Sequence, residues 1–389
     1  VWVNSKALEL AGITAEIPNP GNGVIERDAN GEPSGTLREE AMRLVDKLIP
    51  PYTKEEWMEG LRRGLKEASS LGITNMVEAK LQEKHFEAYL EMAKNQELTA
   101  HINLSIYGNF SEGIKDIKRV LTLNEQYQQQ LSDYPDLRVN QVKLFMDGVV
   151  EGKTAAMLEP YEGENHGGFL NAKADTAISI ITAYDQAGLQ IHVHAIGDKG
   201  IRTTLDAFEK ARLQNGIRDS RHHIAHLHVI HPDDIPRFAK LDVLANFQAL
   251  WATWEDSYMT DLNYPFLGEE RVEWQYPMGS VARSGGRLVF GSDWDVSTMS
   301  PFEAMQVAVT RRGPDNVERE PWTPQHLVDV KTVVEGYTKN GAYLTFRENE
   351  CGTLEAGKLA DLIILNQDVM NCSKFRIFET KVLMTMFRG

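Results

Sequence analysis

Four segments of the chain have the composition of buried β-strands and contain side chains that bind metal ions in other proteins. These segments are residues 142–148 (VKLFMDG), 191–198 (IHVHAIGD), 222–226 (HHIAH) and 288–293 (LVFGSD). In chain order they present one lysine, two histidines and one aspartate, which are Lys143, His194, His226 and Asp293. Polar residues at the carboxyl ends of successive parallel strands meet at one mouth of a (β/α)₈ barrel, where the catalytic residues of such barrels lie. The order therefore predicts a metal site at a barrel mouth.

The residue types in this set indicate the chemistry of the site. Neighbouring strands lie about 5 Å apart, so His194 and His226 can share one ion at about 2.0–2.1 Å each. Asp293 is predicted to bind the same ion and to take a proton from a water whose pKa a divalent ion lowers to about 7. Mixed nitrogen and oxygen ligands suit zinc, iron, manganese or nickel, and we expect zinc, as one or two ions. Each residue alone could be a hydrogen-bonded polar group at a barrel end, but the ordered set favours a metal.

Lys143 leaves two interpretations open. An ammonium group has three donors and no acceptor, so an unmodified lysine does not bind a cation. In one interpretation Lys143 is a barrel lysine paired with a carboxylate such as Asp147, as in Schiff-base or phosphate-binding barrels. In the other it is a lysine carbamate, whose two oxygens can bridge two ions. The sequence does not separate them.

Strands and helices alternate from residue 54 onward, which is the pattern of a parallel sheet. Seven strand–helix units can be counted, so we predict a (β/α)₈ TIM-type barrel whose first strand precedes residue 1. The chain divides into an N-terminal insertion with a hairpin and a helix (1–53), the barrel (54–348) and part of a composite β-sandwich domain (349–389). A barrel that lacks one strand has two open edges, and we expect a homodimer.

Composition limits the class of partner. A net charge of −15 argues against nucleic acid or an anionic membrane, and no apolar run approaches the roughly 20 residues that span a bilayer. Cys351 and Cys372 are expected to be free thiols outside the ligand set. The chain opens on Val1, without an initiator methionine or a signal peptide. We expect a cytoplasmic protein with a small-molecule substrate, and leave a secreted or periplasmic location open.

These motifs together resemble the metal-dependent amidohydrolase superfamily, in the branch that includes N-substituted formamide deformylases. The resembling segments span nearly the whole chain and are residues 1–8, 142–148, 194–198, 291–293 and 357–362. The resemblance implies metal-assisted hydrolysis of an amide, a formamide or a related C–N bond. It also implies site roles: a carboxylated lysine that bridges two metals (Lys143), two histidine ligands (His194, His226) and a ligand that doubles as general base (Asp293).

The chain departs from the pattern of this branch in two places. No residue before 72 supplies the His-x-His pair of the first strand, and residues 192–194 (HVH), which have that spacing, lie on the fifth strand. Residues 224–226 read Ile-Ala-His where the branch usually has Ile-Glu-His. A second function therefore stays open, a non-catalytic binding or exoenzyme-regulatory relative with an incomplete metal site. A metal-free barrel with a Schiff-base Lys143 is a third, which leaves the two histidines and the aspartate unexplained.

Long loops after barrel strands shape substrate pockets. His166 lies in a glycine-rich loop after the fourth barrel strand, and Trp251 and Trp254 lie in the long loop after the seventh. We expect these three side chains to contact the substrate. His222 and His223, at the start of the sixth strand, are expected at the surface.

Overall fold

The computed structural model describes residues 1–389, which divide into two compact units, residues 1–56 and residues 57–389. The first unit contains two short helices and a hairpin: α1 (Ser5–Ala11), β1 (Gly23–Arg27), β2 (Pro33–Glu39) and α2 (Arg43–Asp46). The two strands pair antiparallel. Their turn is held by the Asp28 carboxylate, which accepts the backbone N–H groups of Asn30 at 2.8 Å and Glu32 at 3.0 Å. The predicted hairpin is confirmed, and its role as an insertion beside a barrel stays a prediction.

From residue 54 onward helices and strands alternate along the chain. The first part of this series is α3 (Lys54–Ser70), β3 (Asn75–Leu81), α4 (Glu83–Lys94), β4 (His101–Tyr107), α5 (Ile114–Gln130), β5 (Leu137–Phe145), α6 (Ala174–Gln186), β6 (Gln190–Ala195), α7 (Asp198–Asn215), β7 (His223–His226), α8 (Ile235–Leu241) and β8 (Leu244–Phe247). The remainder is α9 (Asp256–Tyr258), α10 (Tyr264–Val272), α11 (Met278–Arg283), β9 (Leu288–Phe290), α12 (Pro301–Thr310), α13 (Val330–Tyr337), α14 (Lys339–Leu344), β10 (Leu362–Leu365) and β11 (Val382–Met386). None of the helices has the length and apolar character that crossing a membrane requires.

Strands β3 to β9 form one parallel sheet in which each strand pairs with its neighbours in the sequence. Helices follow the strands and cover the sheet, so β6 is buried along its whole length and β4 at all but its last residue, whereas the edge strand β3 is mostly half-buried. The sheet curls into a partial barrel of seven strands, the number counted from the sequence. Strands β3 and β9 are the edges of this sheet. The homodimer, in which a second copy of the chain would cover these edges, stays a prediction. β10 and β11 pair antiparallel in a separate sheet, and the composite sandwich also stays a prediction.

Polar side chains occupy successive layers of this sheet. Gln141 of β5 donates a hydrogen bond to Gln190 of β6. Two residues further along each strand, Lys143 is in register with His192, and His192 with His223. The rings of the two histidines stack with their centroids 4.1 Å apart. The register thus places the candidate lysine ligand in one layer with two imidazoles.

His222 and His223 are buried, with 5% and 0% of their surface exposed, so their predicted surface position is wrong. Side chains alternate between the two faces of a strand, and consecutive histidines therefore enter different environments. His223 stacks on His192. His222 packs on the ring of Phe208 in α7, and its Nε2 lies 3.0 Å from Asp185 Oδ1. His222 is buried because helices cover the outer face of the sheet. His223 is buried because the sheet curls around its inner face.

Candidate metal centre

His194 and His226 lie at the ends of the neighbouring strands β6 and β7, and their rings meet edge to face with centroids 4.5 Å apart. His194 is in register with Ala225, so simple alternation would turn the side chain of the next residue, His226, to the other face. The backbone φ of His226 is +81°, which ends the extended conformation at this residue. This local turn brings the two imidazoles together.

One nitrogen of each ring is fixed by an oxygen acceptor of the protein. His194 Nε2 lies 3.0 Å from Gly148 O, and His226 Nδ1 lies 2.8 Å from Gln248 Oε1. An oxygen acceptor requires the N–H at that nitrogen, so the lone pairs remain on His194 Nδ1 and His226 Nε2.

Burial keeps both rings neutral, because it lowers the pKa of His194 to about 3 and the pKa of His226 well below its ordinary value. A neutral imidazole with one nitrogen held by the protein and the other free is the usual state of a metal-binding histidine. The donor set therefore fits a divalent ion.

Lys143 is buried, and its Nζ lies 3.1 Å from His192 Nε2. Burial lowers the pKa of Lys143 to about 7, and the charge of Asp293 acts in the opposite direction. The sequence left Asp147 open as a partner of this amine, but the contact at hydrogen-bond distance is with His192. A neutral amine is therefore populated near neutral pH.

The carboxylate of Asp147 instead connects the ends of β5 and β6. It accepts backbone N–H groups at 2.9–3.0 Å from three residues, Ala156, Ile196 and Gly197. Gly200 in the first turn of α7 has to be small, since a Cβ there would lie 2.5 Å from Asp147 Oδ2. Asp147 thereby fixes the chain that follows His194, and the sequence HAIGDKG is explained by these contacts.

Asp293 follows β9 with a φ of +53°. The side chain of Asp293 is in contact with solvent. Nearby protein atoms still remove part of the water around its carboxylate and raise its pKa, while the positive charge of Lys143 lowers the pKa. Because the two charges act on each other, Asp293 and Lys143 lie within electrostatic range at the same end of the sheet. The structure thus brings His194 and His226 into contact, and the charge of Lys143 acts on both histidines and on Asp293.

Trp251 lies against the candidate ligands. Its indole stacks on the His226 ring at a centroid distance of 5.7 Å and an interplanar angle of 11°, and its Nε1 donates to Ser297 Oγ at 3.2 Å. The half-buried indole therefore forms an aromatic wall beside the second histidine.

Trp254 and His166, the other two predicted substrate contacts, have partners other than the two histidines. Trp254 meets Trp322 edge to face at 6.3 Å and lies under the Arg319 guanidinium at 4.1 Å. His166 is exposed, and its Nδ1 accepts the backbone N–H of Gly168 at 3.2 Å. The structure therefore does not bring either residue to the two histidines.

Two residues near the candidate ligands were missed in the sequence. The Phe145 ring lies 5.0 Å from the His194 ring and 5.0 Å from Lys143 Nζ. Lys80 Nζ lies 5.5 Å from the same phenyl ring, and its charge contributes to the lowered pKa of Lys143. Phe145 could have been found, because it follows Lys143 by two residues on one strand. Lys80 could not, because the register shifts near the end of β3 and breaks the alternation.

Comparison with known proteins gives three kinds of match. The amidohydrolase family model matches residues 1–389. Protein LONG AFTER FAR-RED 3 of Arabidopsis thaliana is 30% identical over 379 residues, which are 93% of this chain and 62% of that protein. N-substituted formamide deformylase of Arthrobacter pascens is 27% identical over 395 residues, which are 100% of this chain and 70% of that protein. An uncharacterized metal-dependent hydrolase from Pyrococcus furiosus has the same fold, with a TM-score of 0.70 and 24% identity, over 95% of this chain and 70% of that one. The chain thus spans less than two thirds of the length of the plant relative.

Proposed function

Because the chain belongs to the amidohydrolase family, we propose that it is a metal-dependent hydrolase that cleaves an amide, a formamide or a related C–N bond. The observation that supports this most directly is the pair formed by His194 and His226, which are adjacent, neutral and each left with a free lone pair. The similarity to an N-substituted formamide deformylase makes N-substituted formamides the first substrate class to test. When bound, a divalent ion supplies Lewis-acid activation of water and of the scissile carbonyl.

The ligands assigned to one or two zinc ions in this proposal are His194, His226, Lys143 and Asp293. Nitrogen and oxygen donors in this combination suit zinc. Lys143 takes part as a carbamate: its neutral amine forms a C–N bond to CO₂ and loses one proton, which gives an anion with two oxygen donors. The burial of Lys143 and its lowered pKa support this modification, because only the neutral amine adds CO₂.

The remaining chemistry is assigned to Asp293 and the aromatic residues. Water attacks the carbonyl carbon, the C–N bond breaks, and the proton lost by the water passes through the Asp293 carboxylate to the departing nitrogen. The raised pKa of Asp293 suits a group that both accepts and returns a proton. The stacking of Trp251 on His226 supports a substrate contact, since an indole there would exclude water from one side of the bond that is cleaved.

Replacing Asp293 by Asn tests this assignment, with Asp295→Asn as the matched control. Both aspartates are exposed residues of one loop, and the control lies two positions away. Chains supplied with zinc and bicarbonate are assayed for amine release from a panel of N-substituted formamides and acetamides. We expect Asp293→Asn to lose about 10²-fold or more in rate, the usual contribution of a general base, with an unchanged unfolding midpoint. Full turnover in Asp293→Asn would refute its role as the base.

A non-catalytic binding or exoenzyme-regulatory protein is the second candidate. One observation favours it: Ala225 stands before His226, at a position where the resembling branch usually has a glutamate. It predicts no stoichiometric metal and no amine release from any member of the panel. Metal content per chain, measured by plasma mass spectrometry on protein purified without chelator, separates the two candidates.

A further inference from the structure

A second group of metal-binding side chains lies at the opposite end of the sheet, where β4 begins. His101 is the first residue of β4, Cys351 lies between α14 and β10, and Asp361 directly precedes β10. His101 and Cys351 are 1% and 5% exposed, and the Asp361 side chain is 2% exposed. One nitrogen, one sulfur and one oxygen from these residues all lie within 4.8 Å of one another. None of the three takes part in the proposed hydrolysis.

The His101 ring is held between two carboxylates. Asp136 Oδ1 lies 2.9 Å from His101 Nδ1, and Asp361 Oδ2 lies 2.8 Å from His101 Nε2. A metal-binding histidine commonly donates its second N–H to a carboxylate, which fixes the ring and turns the other nitrogen toward the metal. Asp136 lies beside Nδ1, the position of such a carboxylate, while Nε2 faces Asp361.

Both carboxylates are fixed from the C-terminal end of the chain. The Arg388 guanidinium lies 2.8 Å from Asp136 Oδ2, and the backbone N–H of Arg388 donates to Asp361 Oδ1 at 2.8 Å. Arg347, the buried cation nearby, has its own partners, since it lies 2.6 Å from Glu350 Oε2 and donates to Pro135 O. The oxygen of Asp361 that faces His101 is thus separate from the one that Arg388 holds.

The buried thiol of Cys351 distinguishes this group from a simple Asp–His–Asp clamp, which needs no sulfur. Burial raises the pKa of Cys351 to about 11, and the negative charge of Asp361 adds to the effect. A cation placed between the thiol and the carboxylate would replace the thiol proton and offset both negative charges. In a tetrahedral zinc site with bonds of about 2.0–2.3 Å, ligand atoms lie about 3.3–3.8 Å apart. Separations between 2.8 and 4.8 Å reach that range by shifts of about 1 Å or less.

We propose that His101, Cys351 and Asp361 bind a zinc ion, with Asp136 orienting the imidazole and a water in the fourth position. A thiolate ligand selects zinc over magnesium or calcium, which prefer oxygen ligands alone. The site joins the start of β4 to the segment that leads into β10, and it is independent of the residues at the barrel mouth.

Cobalt substitution tests the site in the 389-residue chain carrying His194→Ala and His226→Ala, which removes the two mouth histidines. We expect one equivalent of Co²⁺ to give a near-ultraviolet thiolate-to-cobalt absorption. The band is expected to disappear in Cys351→Ser and to persist in Cys372→Ser, where the other, half-buried thiol is replaced. Asp136→Asn is expected to weaken binding about 10–100-fold, as for other carboxylates that orient a metal-bound histidine.

Absence of the band in the folded chain, or its persistence in Cys351→Ser, overturns the proposal. A second measurement avoids substitutions altogether, in case the serine variant does not fold. Zinc added to the unmodified chain is expected to slow the reaction of Cys351 with a disulfide reagent at least 10-fold and to leave Cys372 unaffected, as read by peptide mass spectrometry. Equal rates for Cys351 with and without zinc would also overturn it. Neither result depends on hydrolytic activity.

Discussion

Gln248 determines which nitrogen of His226 can bind a metal, because its Oε1 accepts the Nδ1 proton at 2.8 Å. In Gln248→Leu that proton has no acceptor, and the site is 4% exposed, so solvent does not replace the amide. A buried donor without a partner costs about 1–3 kcal/mol. Loss of a residue that orients a metal-bound histidine typically lowers affinity about 10–100-fold, which is about 1.4–2.8 kcal/mol. The first value is a cost to folding and the second applies to binding, so we expect zinc to bind about 10–100-fold more weakly at the barrel mouth.

A competition titration against a chelating dye measures this loss. The titration is made at neutral pH in a chain that also carries Cys351→Ser, so that only the mouth site contributes. Gln306→Leu is the matched control, because Gln306 is a fully buried amide in α12 whose Oε1 accepts the backbone N–H of Phe378 at 3.3 Å. We expect this control to lower the free energy of unfolding and to leave the zinc affinity unchanged.

Equal zinc affinity in Gln248→Leu and in the parent chain would refute the assignment of His226 Nε2 as the ligand atom. An equal loss in Gln306→Leu would refute it too, because the effect would then be general destabilisation. Gln248→Glu provides a third test, since a carboxylate accepts the same proton. We expect this variant to retain at least the parent affinity.

Two further predictions concern stability. Gly200→Ala places a Cβ 2.5 Å from Asp147 Oδ2 and is expected to lower the free energy of unfolding, measured in urea, by about 1–3 kcal/mol. Gly60→Ala in α3 is the control, because a Cβ there meets nothing within 4 Å. We expect it to raise the free energy of unfolding by about 0.5–1 kcal/mol. Burial opposes ionisation of Asp185, but hydrogen bonds, the largest from His222, lower its pKa from 3.8 to about 2. Since the folded-state pKa is the lower one, its contribution of about 2 kcal/mol is present above about pH 4 and is lost as the pH falls toward 2. Unfolding free energies compared across this range should show that loss in the parent chain and not in Asp185→Asn.

The mouth histidines could be predicted because each motif contains a strand, a ligand and a turn within a few residues. Two residues that closely follow His194, Ile196 and Gly197, donate their backbone N–H groups to Asp147, so a short stretch of sequence determines the local geometry. The contact of Lys143 with His192 could not be predicted in the same way. It joins residues 49 positions apart, and it depends on the register of β5 against β6, which no single segment determines.

The group around His101 shows the same limit more strongly. His101 and Asp361 are 260 positions apart, and neither lies in a motif that indicates metal binding. Cys351 was predicted to be a free thiol outside the ligand set at the barrel mouth, and nothing in its neighbours along the chain indicates a histidine. Only the packing of the segment before β10 against the start of β4 brings the three together. Local patterns therefore predict sites built at strand ends, while sites built between distant segments need the tertiary structure.

The sheet topology also distinguishes three of the four candidate ligands from Asp293, the proposed base. Lys143, His194 and His226 lie on β5, β6 and β7, each hydrogen-bonded to a neighbouring strand on both sides. Asp293 follows β9, a three-residue strand at the edge of the sheet, and its side chain is exposed. Segments with fewer backbone hydrogen bonds and more solvent contact open at lower free energy. A short edge strand and an exposed loop thus hold Asp293 less rigidly than β5, β6 and β7 hold the other three candidate ligands, which suits a group proposed to accept a proton and return it to another atom.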